Sequence, residues 1–190
     1  MTAASTHTPK RFPGYKALVR HFEQMPEHVR WHFPCLAKLL ADDLPMEISL
    51  AYTFLKLEQA WNRSLYGGLV RLHKAEPTFV RRILDKQHLT RAGFQTLFEN
   101  IYGQAPAGKG DLDKAETVRD RVIHGKEVKS AELREAVGDA LDYSKALHEQ
   151  IAAIAGFTPF GDMRGFSSKV VALDKATTKW VMKGMGFAVK

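Results

Sequence analysis

The most regular pattern of apolar positions lies between residues 131 and 155. Its apolar and small side chains alternate at spacings of four and three, which is typical of a helix packed at a shallow angle in a bundle. The positions on this seam are Leu133, Val137, Ala140, Ser144, Leu147, Ile151 and Ile154. The polar positions expected on its outer face are Glu132, Arg134, Glu135, Asp139 and Lys145. The pattern predicts a core helix rather than a cofactor site.

The chain before this helix also predicts helices, and prolines and glycines mark their boundaries. A first helical region covers about 15–41 and is interrupted near Pro26 and Pro34. Prolines and glycines do not recur at the short, regular spacing of an all-β chain, so the fold class expected is all-α.

A second helix begins at "DDLP", where Asp43 can cap it and Pro45 fits its first turn. It runs to about Arg63. The "YGG" at 66–68 predicts a weak point or a kink, with a shorter piece continuing to Lys74.

Three shorter helical stretches follow. "EPTFVRRILDKQ" and "LTRAGFQTLFENIYG" predict two short helices, the second of which ends at Gly103, and "QAPAGKG" predicts a loop. Asp113 followed by Glu116 resembles a capping box and predicts the start of the next helix. Gly125 predicts its end.

These elements predict an antiparallel bundle of about five helices at 15–156, preceded by a flexible lead-in at 1–14. A basic extension rich in Gly, Phe and Lys follows at 157–190. Its stretch "LDKATTKWVMKGMGF" could form a short basic amphipathic helix that packs on the bundle, on a partner chain or on nucleic acid. The apolar anchors predicted for that helix are Leu173, Trp180, Val181 and Met185.

Charge and composition narrow the class of protein. The chain has 190 residues and a net charge of +7. Residues 1–35 hold five basic and two acidic side chains, and residues 157–190 hold six and two, so the middle is neutral. Basic ends suit a polyanion such as RNA or DNA, although a solubilising surface explains them equally well.

The location expected for the protein rests on its cysteine content and its apolar segments. A single cysteine, Cys35, excludes an internal disulfide and suits a reducing compartment, and we expect it to be buried packing. No apolar run approaches the length of a membrane span, and the first residues do not form a secretory signal. The expected location is therefore the cytoplasm, with no membrane partner.

Chemistry-bearing residues stand together in "ETVRDRVIHGK", residues 116–126. At 100° per residue, Arg119 falls inside the apolar arc of its helix, where a guanidinium needs a partner. Asp120 and His124 lie together on the other side, four residues apart.

The second helix has a matching feature. Ala51, Phe54, Leu55, Trp61 and Leu65 form an apolar stripe with Glu58 in its middle. We therefore predict that Glu58 pairs with Arg119. Such a pair would either fix the register of the two helices or aim Arg119 at a phosphate.

Residues 119–124, Arg-Asp-Arg-Val-Ile-His, resemble the Arg-polar-x3-His motif of the HEPN superfamily of helical bundles. The resemblance covers about 15–155, and the tail has no counterpart. It implies a metal-independent endoribonuclease without cofactors, in which the RNA 2′-hydroxyl attacks the phosphate and leaves a 2′,3′-cyclic phosphate. His124 would move protons, Arg119 would hold the phosphate, and Asp120 would orient His124. Supporting residues would be Glu58, Arg121 and Lys126.

Arg119 and His124 lie about 140° apart on a regular helix, so one motif does not grip one phosphate from a single face. Either the helix unwinds at Gly125, or two motifs meet across a two-fold axis. The resemblance favours the second, so we predict a homodimer in a toxin, defence or stress role, with an antitoxin or other regulatory protein as a possible partner. Lys126 stands where one toxin subgroup has tyrosine, which departs from that subgroup.

Other interpretations stay open. His28, His32 and Cys35 are spaced as three metal ligands on one helix, but an amphipathic surface is favoured. The bundle could be a non-catalytic RNA-binding or protein-interaction module, or a purely structural protein whose stability depends on Arg119. Aromatic side chains among basic residues could stack RNA bases or pack in the core. These are Phe12, Tyr15, Phe166 and Trp180.

Overall fold

The computed structural model describes residues 11–42, 44–87, 89–168 and 170–189. These residues form nine helices and no strand, which confirms the all-α class. The helices are α1 (Tyr15–Glu23), α2 (Glu27–His32), α3 (Leu36–Ala41), α4 (Met46–Arg71), α5 (Pro77–Leu84), α6 (Arg91–Tyr102), α7 (Lys109–Ile123), α8 (Ser130–Ala155) and α9 (Lys175–Gly184). The count exceeds the predicted five partly because the first helical region divides into α1, α2 and α3 at the two predicted prolines.

The centre of the bundle is α8, which packs against α4 and α7. Six of the seven predicted seam positions are buried, and Ile154 is partly buried. Trp61 Nε1 of α4 donates a hydrogen bond to the buried hydroxyl of Tyr143 on α8, at 3.0 Å. The end of α7 lies beside the start of α8, where Arg121 and Glu132 pair, so these two helices form an antiparallel hairpin.

The predicted end of the second helix near Arg63 is wrong, because α4 continues through Gly67 and Gly68 to Arg71. These glycines permit close packing instead. A Cβ at Gly67 would lie 2.2 Å from the ring of Phe157, and one at Gly68 would lie 2.5 Å from the side chain of Ile101. Pro45 precedes α4 as its N-terminal cap residue, while the predicted cap at Asp43 lies outside the described residues.

The predicted capping box at Asp113 and Glu116 is also wrong. Helix α7 begins four residues earlier, at Lys109, after Gly108 in the left-handed conformation with φ 74°. Both carboxylates lie inside the helix and pair with Arg91, at the start of α6. The predicted ends of α6 and α7 at Gly103 and Gly125 are confirmed, each with positive φ.

Residues 11–13 of the predicted lead-in pack on α8, while residues 1–10 lie outside the described part of the chain. Phe12 is only 3 % exposed, and its ring occupies the space that a side chain at Gly138 would need. Arg11 Nη2 donates to Asp139 Oδ1 at 3.0 Å. Asp139 is therefore buried rather than exposed as predicted, because this segment covers the outer face of α8.

The extension after α8 packs on the bundle. Phe160 is fully buried, and Phe187 is 4 % exposed. In α9 the buried residues are Thr178 and Met182. The prediction that Trp180 anchors this helix is wrong, because its side chain is 80 % exposed on the face opposite to Thr178 and Met182.

Candidate functional site

His124 stands at the C-terminal end of α7, directly after the last helical residue, Ile123. Gly125 follows with φ 67°, and its N–H donates to the carbonyl of Val122 at 2.9 Å. The next N–H, that of Lys126, reaches back to the carbonyl of Arg121 at 2.9 Å. These two bonds form a Schellman motif, which ends the helix sharply and leaves His124 exposed.

Arg119 lies between α7 and α4, and its side chain is 25 % exposed. Its Nη2 donates to Asp120 Oδ1 at 2.9 Å, and its Nη1 lies 3.9 Å from Glu116 Oε1. Its guanidinium carbon lies 4.6 Å from the ring centre of Phe54, so a cation–π contact covers one face. The predicted inward position of Arg119 is thus found, together with carboxylate partners.

The partner predicted for Arg119 is wrong. Glu58 is exposed, and no ion pair joins it to Arg119 among the described residues. The reason is the orientation of α4. Its buried face carries Phe54 and Leu57, whereas Leu55 on the predicted stripe is 55 % exposed.

Glu116 replaces Glu58 as the inward carboxylate. Its side chain is 9 % exposed, and it pairs with Arg91 of α6 as well as lying beside Arg119. Burial raises the pKa of Glu116, while the charges of Arg91 and Arg119 oppose that rise. Asp113, one turn earlier in α7, forms an ion pair with the other terminal nitrogen of Arg91, Nη2. The network therefore links the start of α6 to the middle of the motif helix and fixes the backbone beneath Arg119.

The other motif residues have separate contacts. The Asp120 carboxylate binds Arg119, and no hydrogen bond joins it to the His124 imidazole in the described structure. Arg121 donates to the carbonyl of Glu127 at 3.2 Å and lies 3.3 Å from Glu132 Oε2, so it fastens the loop between α7 and α8. Lys126 is exposed in that loop. Arg121 is therefore held by the fold, whereas Lys126 is open to solvent.

A cavity of about 250 Å³ lies between α4 and α7, beside Arg119. Glu58 and Ile123 line it with Arg119, while His124 is not among its lining residues. Two of its lining residues, Leu55 and Ile123, have exposed apolar side chains. Ile48, two turns before Leu55 in α4, is also exposed. A cluster of exposed apolar side chains commonly marks an interaction surface.

The proposed metal ligands are not gathered. Both ring nitrogens of His32 are bonded within the protein, to the Lys56 carbonyl at 2.7 Å and to Arg63 Nη1 at 3.1 Å. His28 instead lies beside the ring of His148, at 5.8 Å between centres. Cys35 is exposed in the turn before α3, so the prediction of a buried thiol is wrong.

The aromatic residues considered for base stacking fall into two groups. Phe12 is core packing, and Phe166 is partly buried against Phe157, with ring centres 5.1 Å apart. Tyr15 is 39 % exposed and Trp180 is 80 % exposed, so both rings have accessible surface.

None of the helices in the described part of the chain is long and apolar enough to cross a membrane. Comparison of the chain with protein-family models, with curated proteins and with solved structures found no match.

Proposed function

We propose that this protein is a metal-independent endoribonuclease that acts as a homodimer. The observation that supports the proposal best is the end of α7. An exposed histidine, His124, caps the helix, and a half-buried arginine, Arg119, lies five residues before it with its guanidinium held by carboxylates. These are the residue types and the spacing of the HEPN motif.

In the proposed reaction the 2′-oxygen of one ribose attacks the adjacent phosphorus, and the bond from phosphorus to the 5′-oxygen breaks. One base takes the proton from the 2′-hydroxyl, and one acid supplies a proton to the leaving 5′-oxygen, so no water is consumed. An imidazole can do either near neutral pH. Arg119 neutralises the charge that builds on the phosphate oxygens in the transition state. The products are a 2′,3′-cyclic phosphate and a 5′-hydroxyl.

The role of Asp120 changes with the structure. The Asp120 carboxylate forms an ion pair with Arg119, but the Asp120 side chain is 55 % exposed and can rotate away from the guanidinium. We infer that substrate phosphate replaces it on the guanidinium. Asp120 is then a group that holds Arg119 ready in the absence of RNA rather than one that orients His124.

A second copy completes the site in this proposal. The exposed Leu55 and Ile123 at the cavity, together with the exposed Ile48 earlier in α4, give an apolar surface for an isologous contact. Such a contact would bring two copies of α7 together, so that His124 of one protomer could serve Arg119 of its partner. Lys126, exposed next to His124, adds positive charge for RNA. A toxin or defence role in the cytoplasm, restrained by an antitoxin or another regulatory protein, belongs to the same proposal.

The test is cleavage of RNA in EDTA by the wild-type protein and by His124→Ala. We expect the wild type to cut and to leave ends with a cyclic phosphate and a free 5′-hydroxyl, which accepts label from a polynucleotide kinase without prior phosphatase treatment. His124→Ala should lose at least a hundredfold in rate, because general acid–base catalysis contributes about 10²–10⁴. Its stability should match the wild type, since the side chain is exposed. Activity of His124→Ala equal to the wild type would refute the assignment.

The alternative is a non-catalytic module that binds RNA or a protein. One observation favours the absence of catalysis: within the network around Arg119, three carboxylates face two guanidiniums, so the cluster offers no unneutralised cation to stabilise a phosphate transition state. Binding of RNA without cutting, by wild type and His124→Ala alike, would support this reading. A purely structural motif would show strong destabilisation in Arg119→Ala and no RNA binding.

A further inference from the structure

A second and larger cavity, of about 890 Å³, lies between α2, α4 and the end of α5. It is separate from the cavity beside Arg119 and is lined largely by polar and aromatic side chains. The lining residues that can contact a ligand through charge, stacking or hydrogen bonds include Trp31, Lys56, Gln59, Asn62, Arg63 and Asp85.

Arg63 carries a positive charge that no carboxylate within 4 Å neutralises among the described residues. Its Nη1 donates to His32 Nδ1 at 3.1 Å and its Nη2 to the carbonyl of Gly161 at 2.6 Å, and both acceptors are neutral groups. The nearby Asp162 is instead paired with Arg164. A half-buried guanidinium that is fixed in position and held by neutral groups suits an anion.

Trp31 supplies an aromatic surface next to that charge. It is 54 % exposed, and the guanidinium carbon of Arg63 lies 5.9 Å from its ring centre. Lys56 adds a second cation, with its Nζ 3.2 Å from Gln59 Oε1. An open indole beside two cations is the combination with which proteins hold single-stranded nucleic acid, because the base stacks and its phosphate pairs with the cations.

Polar groups suited to the edge of a base surround this surface. Gln59 and Asn62, whose amides can both donate and accept hydrogen bonds, are exposed and line the cavity. Asp85 is also exposed. Its negative charge repels a phosphate from that side of the cavity, whereas its oxygens can accept hydrogen bonds from a base amino group. The charges thus favour the phosphate at Arg63 and the base edge toward Asp85.

The position relative to the motif makes the site relevant to RNA. Glu58 lines the cavity beside Arg119, and Asn62, one turn later in α4, lines the larger cavity. One turn advances the helix by about 5.4 Å. The Asn62 side chain donates to the Glu58 carbonyl at 3.4 Å, so the two lining positions are neighbours. An RNA strand held at one cavity can therefore extend into the other.

We propose that the Trp31–Arg63 cavity binds one nucleotide of the RNA strand, with its base stacked on Trp31 and its phosphate on Arg63 and Lys56. This proposal rests on the proposed function for the identity of the strand. It assigns a substrate-positioning role to α2 and α4, outside the motif helix.

The test measures binding of a fluorescent ten-nucleotide RNA to the full chain, in the His124→Ala background so that the RNA stays intact. A series of ten RNAs, each lacking one base, is bound to this protein and to versions that also carry Trp31→Ala or Trp31→Phe. Stacking on one aromatic ring is worth roughly 5- to 150-fold in affinity. We expect Trp31→Ala to weaken the intact RNA by about tenfold, and Trp31→Phe to recover much of that loss.

The decisive result is the energetic coupling between Trp31 and one particular base of the RNA. Removal of one particular base should weaken binding when Trp31 is present and cost nothing when it is alanine, because the partners act as a pair. If every abasic RNA loses the same affinity with and without Trp31, the nucleotide site is refuted even where the wild type cuts RNA. If the coupling is found but the wild type does not cut, the site stands and the ribonuclease proposal fails. AMP binding as tight as the ten-nucleotide RNA would assign the cavity to a free nucleotide and overturn the strand proposal.

Discussion

The buried histidine of α2 predicts a specific loss of stability in acid. His32 is 3 % exposed, and its two partners fix its tautomer. The Lys56 carbonyl can only accept, so Nε2 carries the hydrogen; Arg63 can only donate, so Nδ1 is the bare nitrogen. A proton added to Nδ1 would face the guanidinium with no acceptor. Burial, together with the charges of Arg63 and Lys56, lowers the pKa of His32 from 6.5 to about 4, against the opposing bond to the Lys56 carbonyl.

The size and sign of the effect follow from that pKa. The unfolded chain binds the proton first, since its histidine has the higher pKa, so protonation favours the unfolded state. Stability due to neutral His32 is complete above about pH 6.5 and declines as the pH falls toward 4. At about 1.36 kcal/mol per pKa unit, the loss is about 2 kcal/mol at pH 5 and about 3 kcal/mol at pH 4.

The assay compares the wild type with His32→Gln, which keeps one donor and one acceptor but does not titrate. Urea unfolding at pH 7, 5 and 4 gives the difference in unfolding free energy at each pH. Other groups that titrate in this range, such as His148 with its lowered pKa, are present in both proteins and cancel. The advantage of the wild type over His32→Gln should shrink by about 3 kcal/mol between pH 7 and pH 4. A difference that stays constant to within about 0.5 kcal/mol would show that His32 is not buried as a neutral ring.

Two further predictions use matched pairs and are measured by urea unfolding at pH 7. Glu116→Ala should destabilise the fold by about 2–3 kcal/mol, because it leaves two guanidiniums with exposed partners only, whereas the exposed Glu58→Ala should change stability by less than about 0.5 kcal/mol. Equal effects would show that Glu116 is not the inward carboxylate. Gly67→Ala should cost about 1–3 kcal/mol, because its Cβ would lie 2.2 Å from the ring of Phe157, whereas Gly110→Ala meets nothing within 4 Å and should stabilise α7 by up to about 1 kcal/mol. A neutral Gly67→Ala would mean that the tail is not packed on α4.

The sequence predicts the helical class and most boundaries because those depend on neighbours along the chain. The seam of α8 and the end of α7 at Gly125 are local features of this kind. The contacts of charged side chains are different, because they depend on which helix lies opposite. Glu116 has the spacing of a capping residue, but its use is set by Arg91, 25 residues earlier in the chain. Nothing local reveals that contact.

The orientation of α4 shows the same limit. This helix carries apolar side chains on more than one face, so a wheel allows both the face with Leu57 and the face with Leu55 to be the buried one. Packing on α8 selects the first, and Glu58 then faces outward. A misjudged rotation of one helix was enough to give Arg119 the wrong partner. The inward position of Arg119 is predicted correctly, because the buried Leu112 and Ala115 lie seven and four residues before it on the same side of α7.

The charges around Arg119 bear on why the proposed site needs two chains. Within one protomer the guanidinium is shared between Glu116 and Asp120, and Glu116 is fixed by burial. A phosphate can therefore bind the Arg119 guanidinium only if it displaces the Asp120 carboxylate, on the exposed side of α7. His124 and Lys126 stand beyond that side, at the end of the helix, and neither lines the cavity beside Arg119. Under the proposed function, the same groups from a second protomer would add positive charge and a proton donor where the carboxylate departs. A lone protomer lacks these groups from a partner, so only the dimer should cleave RNA. The rate of RNA cleavage should therefore rise with the square of protein concentration below the dimer dissociation constant.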